Sequence, residues 1–129
     1  IRNCDWSSDV CSSDLGCAIE VHRAIGPGLL ESVYQKCLAR ELELQGVSFR
    51  EEVPLPVAYK GVSFESAYRL DMVVANKIVL ELKAVEHLLP VHEAQLLSYL
   101  RLAHLKLGLL INFNVPALKS GIKRIVNDL

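Results

Sequence analysis

The sequence lacks several things. None of its 129 residues lie in an apolar run approaching the roughly 20 residues that span a bilayer. It does not open on the basic-then-apolar pattern of a secretory leader. Both absences predict a soluble cytoplasmic protein with no membrane partner. Neither charge sign dominates, with 14 Lys and Arg against 15 Asp and Glu and a net charge of −1. A dedicated electrostatic binder of polyanions would be clearly basic, so charge alone carries no argument for nucleic acid. Cysteine is scarce, with four in all and no C-x-x-C spacing, which argues against a zinc or iron–sulfur site and for free thiols. What is abundant is aliphatic surface: 51% of residues are hydrophobic and 22% are charged, enough apolar surface for one packed domain and too little charge for a disordered tail.

Residues 1–15, IRNCDWSSDVCSSDL, differ from the rest. Ser-Ser-Asp occurs twice, at 7–9 and 12–14, with no helical or strand period. The segment resembles the translated adapter sequence found at the ends of assembled metagenomic gene fragments, and it is set apart from the domain expected over 16–129. Removing Arg2 and Asp5, Asp9 and Asp14 leaves 13 basic and 12 acidic residues, and removing Cys4 and Cys11 leaves Cys17 and Cys37.

Within 16–129, AIEVHRAI (18–25) reads as the remaining part of a helix, ended by the turn signal Gly26-Pro27-Gly28. A second helix is predicted from Leu29, with Leu30, Val33, Tyr34, Cys37, Leu38 and Leu42 on one apolar stripe and a stop at Gly46. Alternating Val53, Leu55, Val57 and Tyr59 predict a strand, with hairpin turns at Lys60-Gly61 and Asn76-Lys77. Pro54 and Pro56 place that first strand at an edge or a bulge. A central strand is predicted over 78–85, a helix from Pro90 to about His104, and a buried strand over 107–115. The final ALKSGIKRIVNDL reads equally as helix or strand. The order indicates an α/β fold with a mixed sheet flanked by helices.

Three charges stand inside the most strand-like stretch, LDMVVANKIVLELKAVE (70–86): Asp71, Glu81 and Lys83. Charges among apolar strand residues are costly unless paired. Glu81 and Lys83 share a face, and the turn at 76–77 folds Asp71 back beside them. Two convergent carboxylates suit Mg²⁺ or Mn²⁺, which binds through one or two carboxylates and takes further ligands from substrate phosphate. Alone, an E-x-K pair reads as an ordinary ion pair on a sheet surface. Two other elements bear on the choice. Glu31 lies at the edge of the second helix's stripe, and His92, Gln95 and Tyr99 form a polar line at i, i+3 and i+7 on the later helix. A zinc reading through His22, His87, His92 and His104 lacks any helical ligand pair.

The stretch Gly28-Leu29-Leu30-Glu31-Ser32-Val33-Tyr34 carries the pattern that names the GxxExxY proteins, and HEAQLLSYL (92–100) and GLLINFNV (108–115) resemble the same family over about Gly16 to Leu129. That family is similar to the PD-(D/E)XK nuclease superfamily. The resemblance implies a restriction-endonuclease-like α-β-β-β-α-β core and divalent-metal-dependent hydrolysis of nucleic-acid phosphodiesters. It implies Asp71, Glu81 and Lys83 as catalytic residues, and Glu31, Asp71 and Glu81 as ligands of Mg²⁺ or Mn²⁺. Gln95 and Tyr99, in a Q-x-x-x-Y pattern, and His92 would bind substrate, with DNA the first expected partner and a homodimer among the allowed assemblies. Leu70 stands where the superfamily's name motif has proline. The competing expectation is a non-catalytic nucleic-acid-binding or assembly module on the same fold.

Overall fold

The computed structural model describes residues 9–128, with side chains from Asp14 onward. Two helices, α1 (Asp9–Ile25) and α2 (Glu31–Leu44), precede a long hairpin of β1 (Phe49–Tyr59) and β2 (Val62–Val74). Then come β3 (Ile78–Lys83), α3 (Pro90–Ala103), β4 (Leu107–Asn112), a short 3₁₀ turn over Leu118–Gly121, and β5 (Ile122–Val126). The five strands lie in the order β1-β2-β3-β4-β5, with β3 and β4 parallel and the other pairs antiparallel. This is the mixed α/β sheet the sequence predicted. The undecided C-terminal segment supplies a 3₁₀ turn and an additional edge strand. Of the segment set apart at 1–15, the first eight residues lie outside the described residues, and the rest form the start of α1.

Each face of the sheet is covered. Tyr34, Leu38 and Leu42 of α2, with Cys17, Ala18 and Val21 of α1, pack on Met72, Val74, Leu80, Leu82, Leu109 and Ile111. On the other face Leu96, Tyr99 and Leu100 of α3 pack on Leu55, Leu70, Val73, Val79 and Leu110. β3 is buried on both sides, as its apolar run requires. The stripe predicted for α2 is shifted: Leu30 and Val33 are exposed, and Ala39 is buried instead. The buried arc of α2 faces α1 and the sheet together, which turns the Leu30 side of the helix to solvent. Both remaining thiols are free, with Cys17 buried and Cys37 half-buried.

The hairpin changes sides midway. Phe49 packs with the α1/α2 core, whereas Val53 and Leu55, of the same parity along β1, pack with the α3 core. In β2, Met72 and Val74 belong to the first core and Leu70 to the second. The switch falls at Glu52, whose φ of 50° is left-handed, unusual for a residue with a Cβ. The register around it would set Glu52 against Asp71. Beyond this crossing the hairpin runs out as an arm, with residues 62–69 exposed throughout.

Asp14 fits its surroundings poorly. Its side chain is fully buried and, among the described residues, neither carboxylate oxygen has a partner. Burial pushes the carboxyl up from its ordinary 3.8 to about 7. A folded-state value raised above the unfolded one means that stability is lost as pH rises through that window, from about 4 to 7, and stays lost above it. Asp14→Leu is therefore expected to stabilise the protein by roughly 2–4 kcal/mol at pH 8 and by much less at pH 4. Urea denaturation of variant and parent at both pH values checks this; an equal effect at the two pH values would count against it.

Candidate active site

The β2–β3 ladder ends early. Among the described residues the strands pair at Met72 with Leu80, Val73 with Val79 and Val74 with Ile78. The next step of that register sets Asp71 opposite Glu81, and side chains take over from the backbone. The Asp71 N–H donates to Glu81 Oε1 at 3.1 Å, and the Leu82 N–H donates to Asp71 Oδ2 at 2.8 Å. Directly opposed residues of an antiparallel pair have Cβ atoms roughly 4.5–5.5 Å apart, so the two carboxylates share one gap. Each has one oxygen held by the opposite strand. Among the described residues the second oxygens, Asp71 Oδ1 and Glu81 Oε2, accept no hydrogen bond.

The electrostatics of this gap are unfavourable for two anions. Glu81 is only 7% exposed. Burial pushes its carboxyl up to about 8; the Asp71 charge adds to the rise, and the Asp71 N–H and Lys83 oppose it. Burial also raises Asp71 against the pull of the Leu82 N–H, with Glu52 adding to the rise and Lys83 opposing it. Among the described residues no ion pair joins Lys83 to either carboxylate. Its ammonium acts on both through space.

Glu31 is brought to the end of β3 by a built turn. Gly28, at φ 95°, takes a left-handed conformation that glycine adopts without strain. The Tyr34 hydroxyl donates to the Gly26 carbonyl at 2.6 Å and accepts from the Leu29 N–H at 3.1 Å, while its ring stacks on Phe113 at 4.4 Å. The Gly-x-x-Glu-x-x-Tyr spacing is thus a local clamp: the tyrosine pins the turn, and Glu31 opens α2 facing β3. Glu31 Oε2 accepts from the Ala84 N–H at 3.3 Å.

The polar line on α3 divides by role. Tyr99 is buried against Leu70 and Val79, and burial, then the Glu81 charge, raises its hydroxyl. Gln95 is exposed one turn earlier. His92 accepts the Leu89 N–H at Nδ1, 3.0 Å, and so closes the start of α3. Two further histidines also hold structure: His22 Nε2 meets the Val115 carbonyl at 2.8 Å, and His104 ends α3 in a left-handed conformation.

Three residues absent from the sequence reading join the site. Glu52 lies across from Asp71 and accepts from Gln35 of α2 at 3.0 Å. Tyr68 lies against Tyr99, with ring centroids 5.3 Å apart. Asn112, buried at the end of β4, brackets Val85: Asn112 Oδ1 accepts the Val85 N–H at 3.1 Å and Nδ2 donates to its carbonyl at 2.9 Å. With the Phe113 N–H donating to the Lys83 carbonyl at 2.9 Å, this fixes the backbone on which Lys83 stands. Gly121 permits the fit, since a Cβ there would lie 2.2 Å from the Asn112 carbonyl oxygen. An Asn inside the apolar run LGLLINFNV was the signal available in the sequence; Glu52 and Tyr68 had none.

Among the described residues no group of three or more His, Cys, Asp or Glu side chains converges to hold a metal. Glu31 nonetheless adds its charge to the rise of both Asp71 and Glu81. It lies beyond the end of β3, where one of its oxygens takes the Ala84 N–H. The zinc reading also fails among these residues, because His22, His92 and His104 serve three separate places. What the site offers is two opposed carboxylates, each with an oxygen left open. That donor set fits Mg²⁺, a hard cation that accepts one or two carboxylates and keeps several waters, better than a metal needing an all-protein cage.

The model of the PD-(D/E)XK nuclease superfamily matches residues 8–125, and the chain belongs to that superfamily. Its mixed five-stranded sheet with three helices is the restriction-endonuclease-like α/β core of that class. Comparison with curated proteins and with solved structures gave no match. Among the described residues no helix is long and apolar enough to cross a membrane.

Two substitutions probe this geometry by stability alone. Glu81→Gln removes a buried charge and keeps an oxygen for the Asp71 N–H, so without metal at pH 8 it should be at least as stable as the parent. Asn112→Ala removes the acceptor of the Val85 N–H and the closer of the two donors to its carbonyl, and should cost about 1–3 kcal/mol. Urea titration reads both; a strongly destabilised Glu81→Gln would contradict the arrangement described.

Proposed function

We propose that the protein is a divalent-metal-dependent nuclease that hydrolyses nucleic-acid phosphodiester bonds, with DNA the first substrate to test. Within the superfamily, the spacing of Gly28, Glu31 and Tyr34 supports a place among the GxxExxY proteins. The observation that carries the reading is the Asp71–Glu81 pair, opposed across the open end of the β2–β3 ladder with an oxygen of each unclaimed.

Asp71 and Glu81 would hold Mg²⁺ or Mn²⁺. When bound, the metal supplies a Lewis acid for phosphoryl oxygens and lowers the pKa of a coordinated water. The chain's own residues do the rest. Lys83, on the face of Glu81 and held by the Asn112 bracket, offers a cation where negative charge develops on phosphorus oxygens. Glu31, whose charge reaches both carboxylates, would orient a water through its second oxygen. The Tyr99 hydroxyl and the exposed Gln95 amide are donors suited to substrate phosphates, and His92 supports them by fixing the start of α3.

A second reading keeps the fold without turnover: a nucleic-acid-binding or assembly module. The net charge of −1 favours it, because so little excess positive charge gives weak general grip on a polyanion. The full chain incubated with linear DNA, circular DNA and RNA, in Mg²⁺, Mn²⁺ or chelator, separates the two. Metal-dependent cutting that falls at least about a hundredfold in both Glu81→Ala and Lys83→Ala is expected. Mn²⁺ should also raise the melting temperature of the parent and leave that of Glu81→Ala unmoved. Binding without cutting on every substrate would instead select the module.

A further inference from the structure

The hairpin arm presents an aromatic face that leads to the carboxylate gap. Cross-strand partners Leu55 and Tyr68, Val57 and Phe64, and Tyr59 and Val62 succeed one another along it. Leu55 is buried at the root, whereas Tyr68, Phe64 and Tyr59 are 46%, 53% and 63% exposed. At the root Tyr68 contacts Tyr99, which packs among Leu70, Val73 and Val79 beside Asp71 and Glu81. At the tip the Lys60 ammonium lies 5.3 Å from the centroid of the Tyr59 ring. Tyr68 and Phe64 lie four residues apart on β2, and the register shift between Leu55 and Val57 falls between their partners.

We infer that this arm is a stacking platform for single-stranded nucleic acid, whose bases lie on Tyr68 and Phe64 so that the chain is led into the Asp71–Glu81 gap. The inference rests on the nuclease reading and adds the form of the substrate. Its chemistry follows from what the surface has and lacks. Bases unstacked from a duplex offer π-faces to aromatic side chains, whereas the paired bases of a duplex do not. With a net charge of −1, affinity must come largely from such contacts rather than from phosphate neutralisation. A second copy of the chain is the less suited occupant. Pro54 and Pro56 carry no N–H, which suits β1 to an unpaired sheet edge rather than to strand-to-strand pairing with a copy.

The test uses the full chain and a fluorescent oligonucleotide, single-stranded or in duplex, with chelator present so that nothing is cut. Anisotropy should show tighter binding of the single strand. Phe64→Ala and Tyr68→Ala should each weaken it about tenfold, and Phe64→Tyr should restore it. Phe64 is exposed, so an unchanged melting temperature is expected to accompany the loss. Equal affinity for both forms, no measurable single-strand binding, or single-strand affinity unmoved by Phe64→Ala would overturn the inference. So would sedimentation showing a dimer that Phe64→Ala dissociates while oligonucleotide binding stays the same. The nuclease reading is judged separately in Mg²⁺: cutting of duplex at a rate indifferent to Phe64→Ala sinks the arm alone. Absence of cutting on all substrates, with aromatic-dependent single-strand binding intact, sinks the nuclease and leaves the arm.

Discussion

Where β2 and β3 part, the Asp71 N–H reaches a carboxylate oxygen of Glu81 and the Leu82 N–H reaches one of Asp71. A backbone ladder continuing through this point would have left both side chains to solvent or to the core. The exchange instead keeps two anions opposed and largely dehydrated, a state that disfavours their charges. Much of the surrounding structure supports that exchange. The left-handed backbone at Glu52 turns the hairpin at the same level, and α3 closes the site from one side with Tyr99.

The supports come from distant parts of the chain, and each fixes one group. The Gly26–Gly28 turn and the Tyr34 clamp deliver Glu31 from α2. Asn112 and Phe113 fasten the segment after Lys83 to β4, and Gly121 lets that contact close. Hydrogen bonds to backbone make these positions stiffer than side-chain packing alone, which suits a site whose groups must converge within a fraction of an ångström.

The elements were legible because hydrophobic period and turn chemistry are local. Lys60-Gly61 and Asn76-Lys77 marked the two hairpins, Pro90 opened α3, and Pro54 with Pro56 announced an edge strand, which β1 is, with a register shift between Leu55 and Val57. The α2 stripe was misjudged at Leu30 and Val33 because a helix packed on two neighbours buries an arc that periodicity does not centre. Glu52 and Tyr68 were invisible for a related reason. Their importance comes from what lies across a strand or beneath a helix, and no local pattern distinguishes an exposed tyrosine on a hairpin from one beside a carboxylate pair.

By itself the sequence determined the mixed α/β class, the order of most elements, and the candidates Asp71, Glu81, Lys83 and Glu31, since residue type and spacing along the chain suffice for these. Tertiary structure alone decided that the ladder opens where Asp71 and Glu81 meet, that Glu31 takes the Ala84 N–H, and that His92 caps a helix. It also decided that the hairpin turns over at Glu52 to carry its aromatic face to the site. Those outcomes depend on strand register and helix docking, which are set by the simultaneous burial of both sheet faces and so are not encoded in any single segment.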